Sequence, residues 1–201
     1  MKPDKQDARK AVIEAKAIEL LDEKGFDGTS MAAIAKAASA SNEPLYRWYG
    51  DRQGLYSALV VRNAARIAET IHIASRQERG LEALRRIAPV MLEVLTDRPA
   101  VALNRAAAGD RTGALGAVLA RAGREAIVPL LFDIIEGAKG RGELSGDTAE
   151  ITETYVALVV GDFQIRRATR AMPAPAKSAI AYRATRAIAQ ICRLYGAGAD
   201  A

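Results

Sequence analysis

The stretch SASNEPLYRWYGDRQGLY, residues 39–56, gathers Tyr46, Trp48, Tyr49 and Tyr56 in a chain that is only 5% aromatic. Ser41 has the oxygen to cap a helix, and Pro44 falls in that helix's first turn, where backbone N–H groups lack intrahelical partners anyway. Gly50 supplies a stop, and Asp51 a second cap. The segment predicts a short helix over 42–48 that hands over to a longer one. At 100° per residue, Tyr46, Trp48 and Tyr49 cannot share a face. Leu45 and Tyr49 are expected inside, Tyr46 and Trp48 at the surface.

Upstream, Ile13, Ala17, Leu20 and Leu21 recur at helical spacing and predict a helix from about Gln6 to Lys24, closed by Gly25 with Phe26 folding back. Thr29 is expected to cap a second short helix through Lys36, with Met31, Ile34 and Ala35 inward and a turn at 38–40. Downstream, the helix capped by Asp51 should reach Ser75. Leu81, Leu84, Ala88, Met91, Leu92 and Leu95 form the next stripe, ended by TDRPA, and another helix runs to Ala108. Leu115–Lys139 is read as one helix, kinked or broken at Pro129 because an interior proline loses a hydrogen bond and crowds the preceding turn. After the loop GRGELSGD, helices over 148–170 and 174–195 are separated by MPAPA, and GAGADA is a frayed tail. No alternating β-branched run suggests a strand, so the fold class is all-α, with about nine helices.

Composition narrows function by exclusion. The chain has 201 residues, half of them apolar, which is enough for a sizeable core. No apolar run approaches the roughly 20 residues of a bilayer span, and the start MKPDKQDARK is charged; a cytoplasmic protein without membrane contact is expected. One cysteine, Cys192, forbids an internal disulfide, and one histidine, His72, leaves little for zinc or triad chemistry. His72 reads as a polar residue on the connecting helix and Cys192 as a small buried hydrophobe. With no Gly-rich phosphate cradle and no paired carboxylates in an apolar motif, neither enzyme activity nor a cofactor or metal is expected. The net charge of +5 and pI near 9.5 permit polyanion binding. Within 28–66, Lys36, Arg47, Arg52, Arg62 and Arg66 face only Glu43 and Asp51, so basic character is read as concentrated there.

Two short helices joined by a tight turn, the second polar at its start, have the layout of a helix-turn-helix, here over about 30–49. With its flanks, LLDEKGFDGTSMAAIAKAASASNEPLYRWYGDRQGLYSALV resembles the N-terminal DNA-binding domain of the TetR family of bacterial transcriptional regulators. Gly25-Phe26 resembles the end of that family's first helix, Thr29-Ser30-Met31 the start of its second, and Ile34-Ala35 the small pair beneath its recognition helix. Ser41, Leu45-Tyr46, Tyr49 and Asp51-Arg52-Gln53 with Leu55 continue the match. Ser39 departs from it where a turn glycine is common, and Glu43 and Pro44 replace smaller residues.

The resemblance implies a DNA-binding domain over 7–66 and a helical effector-binding and dimerisation domain over 67–201. It implies phosphate contacts from Thr29, Ser30, Ser41, Tyr46 and Arg52, which would position the domain, and base readout by Asn42, Glu43, Pro44, Arg47 and Trp48. Met91, Leu95, Phe132, Tyr155 and Phe163 have the character of effector-pocket residues. Ile180, Ala184, Ile188 and Ile191 form a stripe near heptad spacing, suited either to a homodimer interface or to the internal core. The reading is a dimeric repressor released from a double-stranded DNA operator by a small-molecule effector. Its rivals are an all-α ligand-binding protein or enzyme without DNA function, and a non-specific nucleoid-type binder, which would want more charge.

Overall fold

The structure, a computed structural model, describes residues 3–197. Its helices are α1 (Pro3–Lys24), α2 (Met31–Ala37), α3 (Asn42–Tyr49), α4 (Arg52–Gln77), α5 (Leu81–Thr96), α6 (Arg98–Gly109), α7 (Ala114–Leu119), a π-helical turn (Ala120–Arg124), α8 (Glu125–Gly140), α9 (Thr148–Val160), α10 (Phe163–Ala168) and α11 (Lys177–Tyr195). Taking α7 through α8 as one interrupted run, and α9 with α10 as another, leaves the nine expected helices. The chain forms two compact units, one running to Asn63 and taking back Arg98–Gly123, the other Ala64–Asp97 with Arg124 onward. Residues 98–123, expected in the effector-binding and dimerisation domain, pack within the first compact unit.

In the first unit, α1 buries Ile13, Ala17, Ile18 and Leu21, α2 buries Met31, Ile34 and Ala35, and α4 buries Leu55, Tyr56, Leu59 and Val60. The fully buried Tyr56 donates its hydroxyl to the Leu103 carbonyl at 2.8 Å, tying α4 to α6. Asp22 of α1 receives Arg98 and Arg105 of α6, each at 2.8 Å. The packed apolar face of α6, Val101 to Ala106, accounts for its membership of this unit.

The caps follow local chemistry. Ser30, not Thr29, caps α2: its Oγ accepts from the Ala33 N–H at 3.1 Å, while Thr29 donates its own hydroxyl to the Gly25 carbonyl at 2.7 Å and is 1% exposed. Asp51 Oδ1 accepts from the Gly54 N–H at 2.7 Å as expected, after Gly50 turns the chain at φ 76°. Ser39 keeps the left-handed turn, φ 49°, without being glycine. Ser39→Gly is expected to relieve that conformation and raise stability by about 1 kcal/mol or less, since glycine also loosens the unfolded chain. A lowered denaturation midpoint would contradict it.

In the second unit, α5, α8, α9 and α11 enclose Leu84, Met91, Leu131, Ile135, Tyr155, Val159 and Ile188. Helix α8 continues through Pro129, and the break expected there lies one turn earlier. The widened π turn ends just before Glu125, whose carbonyl is the one a proline at 129 would crowd. Gly161, at φ 50°, separates α9 from α10, and the Arg183 guanidinium lies where a side chain at 161 would begin. At the C-terminal end, Gly196 bridges Leu144 and Ala197 donates to the Glu143 carbonyl, so these two residues of GAGADA are paired; its last four lie outside the described residues.

Candidate nucleic-acid interface

Helix α3 is eight residues long, too short to hold itself together in water, so its neighbours must place it. Its one fully buried side chain is Leu45. Around that anchor, Trp48 and Tyr49 are half-buried against the first unit's core, and Asn42, Glu43, Tyr46 and Arg47 are exposed, Tyr46 to 53%. Pro44 sits half-buried in the first turn. Leu45 is inward and Tyr46 outward as expected, but Tyr49 and Trp48 both lie at the boundary, with Lys10 Nζ and Arg47 Cζ each 5.9 Å from the Trp48 ring.

Ser41 precedes α3 in an extended conformation, with no side-chain bond to the helix end. Its hydroxyl is exposed, as is that of Ser30, which accepts from Ala33 and still has its proton to donate. These two, with Tyr46, put hydroxyls on the exposed side of the motif. Arg47 and Glu43 approach to 3.6 Å across one turn, an exposed pair worth little that a competing partner can open.

Two expected contacts are turned inward. Thr29 is buried and bonded within its loop, so its hydroxyl cannot reach a phosphate. Arg52 donates through Nη1 to the Phe26 carbonyl at 2.8 Å and the Thr29 carbonyl at 3.3 Å, and stacks on the Phe26 ring at 3.9 Å. Carbonyls left over where α1 ends account for that choice, and Arg52 acts here as a brace between α4 and the α1–α2 loop. Helix α1 also supplies partners to this motif, which its apolar stripe did not suggest. Arg9 donates to the Ser39 carbonyl in the turn, and Glu14, 6% exposed, accepts from the Tyr49 hydroxyl. A carboxylate among the apolar positions Ile13, Ala17 and Ile18 was the available signal.

The residues expected to line an effector pocket do not converge. Met91 and Tyr155 are sealed in the second unit's core, where burial pushes the Tyr155 phenol far above its usual range and its hydroxyl donates to the Leu84 carbonyl at 2.9 Å. Leu95 and Phe163 pack against that core, and Phe132 is exposed. A cleft of about 340 Å³ in the same unit is lined by none of the five; its walls include His72, Ser75, Arg79, Leu130, Asp133 and Arg141.

The stripe expected at a dimer interface is internal. Ile180, Ala184, Ile188 and Ile191 are 7%, 5%, 1% and 0% exposed, because α11 spends its apolar face on α5 and α9. Its outer face instead shows Tyr182, 65% exposed, with Arg186 stacked 5.7 Å from the ring, then Ala189 and Arg193. Residues 163–195 hold seven Lys or Arg and no Asp or Glu, more than the whole chain's excess of five, so the basic bias lies here rather than in 28–66. Among the described residues no helix is long and apolar enough to cross a membrane, and no cluster of three His, Cys, Asp or Glu could hold a metal ion.

Comparison with known proteins covers both units. The family model described as bacterial regulatory proteins, tetR family, matches residues 13–59, and that described as AefR-like transcriptional repressor, C-terminal domain, matches residues 82–197. Among solved structures, a TetR-family transcriptional regulator from Mesorhizobium loti MAFF303099 is 22% identical, over 95% of this chain and 98% of that one, with a TM-score of 0.78. A TetR transcriptional regulator from Agrobacterium tumefaciens is 26% identical over 99% and 97%, TM-score 0.71. The flavonoid-responsive regulator FrrA is 25% identical over 94% and 98%, TM-score 0.69. No curated protein matches the chain.

Proposed function

The chain belongs to the tetR family of bacterial regulatory proteins, and we propose that it is a repressor which leaves its operator when a small molecule occupies its C-terminal bundle. It is a DNA-binding transcriptional regulator and not an enzyme. Regulators of this family bind operators as dimers and respond to small-molecule effectors. The observation that carries the reading is α3 itself: one buried leucine holds it while Asn42, Tyr46 and Arg47 stay outside.

In this reading Ser30, Ser41 and Tyr46 hold phosphate oxygens, and Asn42 and Arg47 read base edges by the pairings their side chains favour, adenine and guanine. Glu43, Pro44 and Trp48 flank that readout, Glu43 also releasing Arg47 on binding. Arg52 and Thr29 shape the loop and make no DNA contact. The effector site is the cleft walled by His72, Ser75, Asp133 and Arg141, and the protein works in the cytoplasm.

Dimer contact is assigned to the outer faces of α11 and α9. No acid accompanies the cations on the first, whereas the second exposes Glu150, which also accepts from the Tyr195 hydroxyl, and Glu153, 3.9 Å from Arg124, so a two-fold axis can set Arg186 and Arg193 against the partner's carboxylates. Dimerisation should weaken as salt rises, and Tyr182→Asp should shift the protein toward monomer by about tenfold or more in dissociation constant. Sedimentation equilibrium at two salt concentrations measures both; a dimer insensitive to salt and to Tyr182 would move the interface elsewhere.

Function is tested by selecting bound sequences from a random duplex pool and adding candidate metabolites to the winning complex. An inverted repeat with half-sites one helical turn apart, or a multiple, is expected. A pool that stays random would end the proposal.

A further inference from the structure

We infer that Glu14, Tyr49 and Arg62 form a positioning device that sets which bases α3 prefers, without any of the three touching DNA. The inference rests on the DNA-reading role proposed for α3. Glu14, on α1, is 6% exposed; its Oε1 accepts from the Tyr49 hydroxyl at 2.9 Å, and its Oε2 lies 2.6 Å from Arg62 Nε of α4. A single buried carboxylate thus takes one partner from the end of the recognition helix and one from the helix that follows.

Burial, the bond to Glu14 and its negative charge push the Tyr49 phenol above its usual range, so it stays neutral and donates. Packing alone does not require this arrangement. The Glu14–Arg62 pair is open to solvent on its Arg62 side, so charge alone contributes little there, whereas the Tyr49 hydrogen bond adds direction. Leu45, with Trp48 half-buried beside it, fixes how deep α3 lies, but apolar contacts carry little direction and leave the helix some freedom to roll and tilt. Tyr49 fixes the C-terminal end, and Arg9 holds the turn before α3 through the Ser39 carbonyl.

The lever arm is short but sufficient. Asn42 lies seven residues from Tyr49, about 10 Å along the axis, so a tilt of about 10° moves it by about 2 Å. Base-edge hydrogen bonds tolerate a few tenths of an ångström, while phosphate contacts from flexible side chains follow the movement. Releasing Tyr49 should therefore cost discrimination more than it costs affinity for DNA in general.

The test measures binding of the full-length chain to its selected operator and to a scrambled duplex of equal length, below the onset of unfolding by circular dichroism. Tyr49→Phe is expected to cut the operator-to-scrambled ratio about tenfold while scrambled affinity stays within about twofold. Glu14→Gln keeps an oxygen for the Tyr49 hydroxyl but turns its amide N–H toward Arg62, so its ratio should fall between those of wild type and Tyr49→Phe. An unchanged ratio in Tyr49→Phe, an equal loss on both duplexes, or a Glu14→Gln ratio below that of Tyr49→Phe would overturn the inference. A wild-type chain that fails to discriminate would overturn the DNA-reading function itself.

Discussion

Leu45→Ala is expected to destabilise the first unit by about 2–5 kcal/mol, the cost of emptying a fully buried leucine site in a packed core. The damage should concentrate on α3, because an eight-residue helix is far below the length at which a helix persists alone, and Leu45 is its only fully buried side chain. Trp48, three residues on and the only tryptophan, reports the change locally. Its emission should shift red and its denaturation midpoint fall, while far-ultraviolet circular dichroism, dominated by the other helices, hardly changes at low denaturant. Operator binding should fall by more than the stability loss alone requires, since DNA must then order α3 as well as bind it. Unchanged Trp48 emission and midpoint would mean that α3 is held by something other than Leu45.

The DNA-reading half was legible in the sequence because its signals are local. Proline in a first turn, a hydroxyl residue or aspartate before a helix and glycine after one are local signals, and they located α3 and the starts of α2 and α4 to within a residue, although Ser30 rather than Thr29 caps α2 and Ser41 makes no cap bond. What local chemistry cannot supply is the partner of a side chain that reaches across the fold. Arg52 and Thr29 looked like phosphate contacts by their place in the motif, yet the Phe26 and Thr29 carbonyls claim the guanidinium and the Gly25 carbonyl claims the Thr29 hydroxyl. Ile180, Ala184, Ile188 and Ile191 carry the same periodicity whether the stripe meets a second copy or the chain's own α5 and α9. Periodicity says that a face is buried, not against what. Met91 and Tyr155 misled in the same way, since pocket and core draw on one set of residues. The inverse failure was Glu14, where a charged residue among buried neighbours marked a long-range partnership that only the folded chain identifies.

Arg47→Ala and Asn42→Ala are each expected to lower preference at a single base step by about 1–3 kcal/mol, leaving preferences elsewhere in the site unchanged. Both side chains are exposed, Asn42 at the start of α3 and Arg47 in its last turn, and each can present a two-point contact to one base edge. Tyr46→Phe removes one hydroxyl from a residue assigned to a phosphate and should weaken all sequences alike, without changing the salt dependence, because no charge is lost. Salt separates the possible roles of Arg47. Were it a phosphate contact, Arg47→Ala would reduce the slope of log K against log salt by about one and leave base preference intact. As a base contact, it shifts the preferred base at one position and leaves most of the slope in place. The 3.6 Å approach of Glu43 adds a second handle. Glu43→Gln frees Arg47 and removes a negative charge from the side assigned to DNA, so under that assignment it should strengthen binding to every duplex and more so to those with guanine at the step assigned to Arg47. A uniform gain with no guanine bias would leave Arg47 as a backbone contact and pass base readout to Asn42.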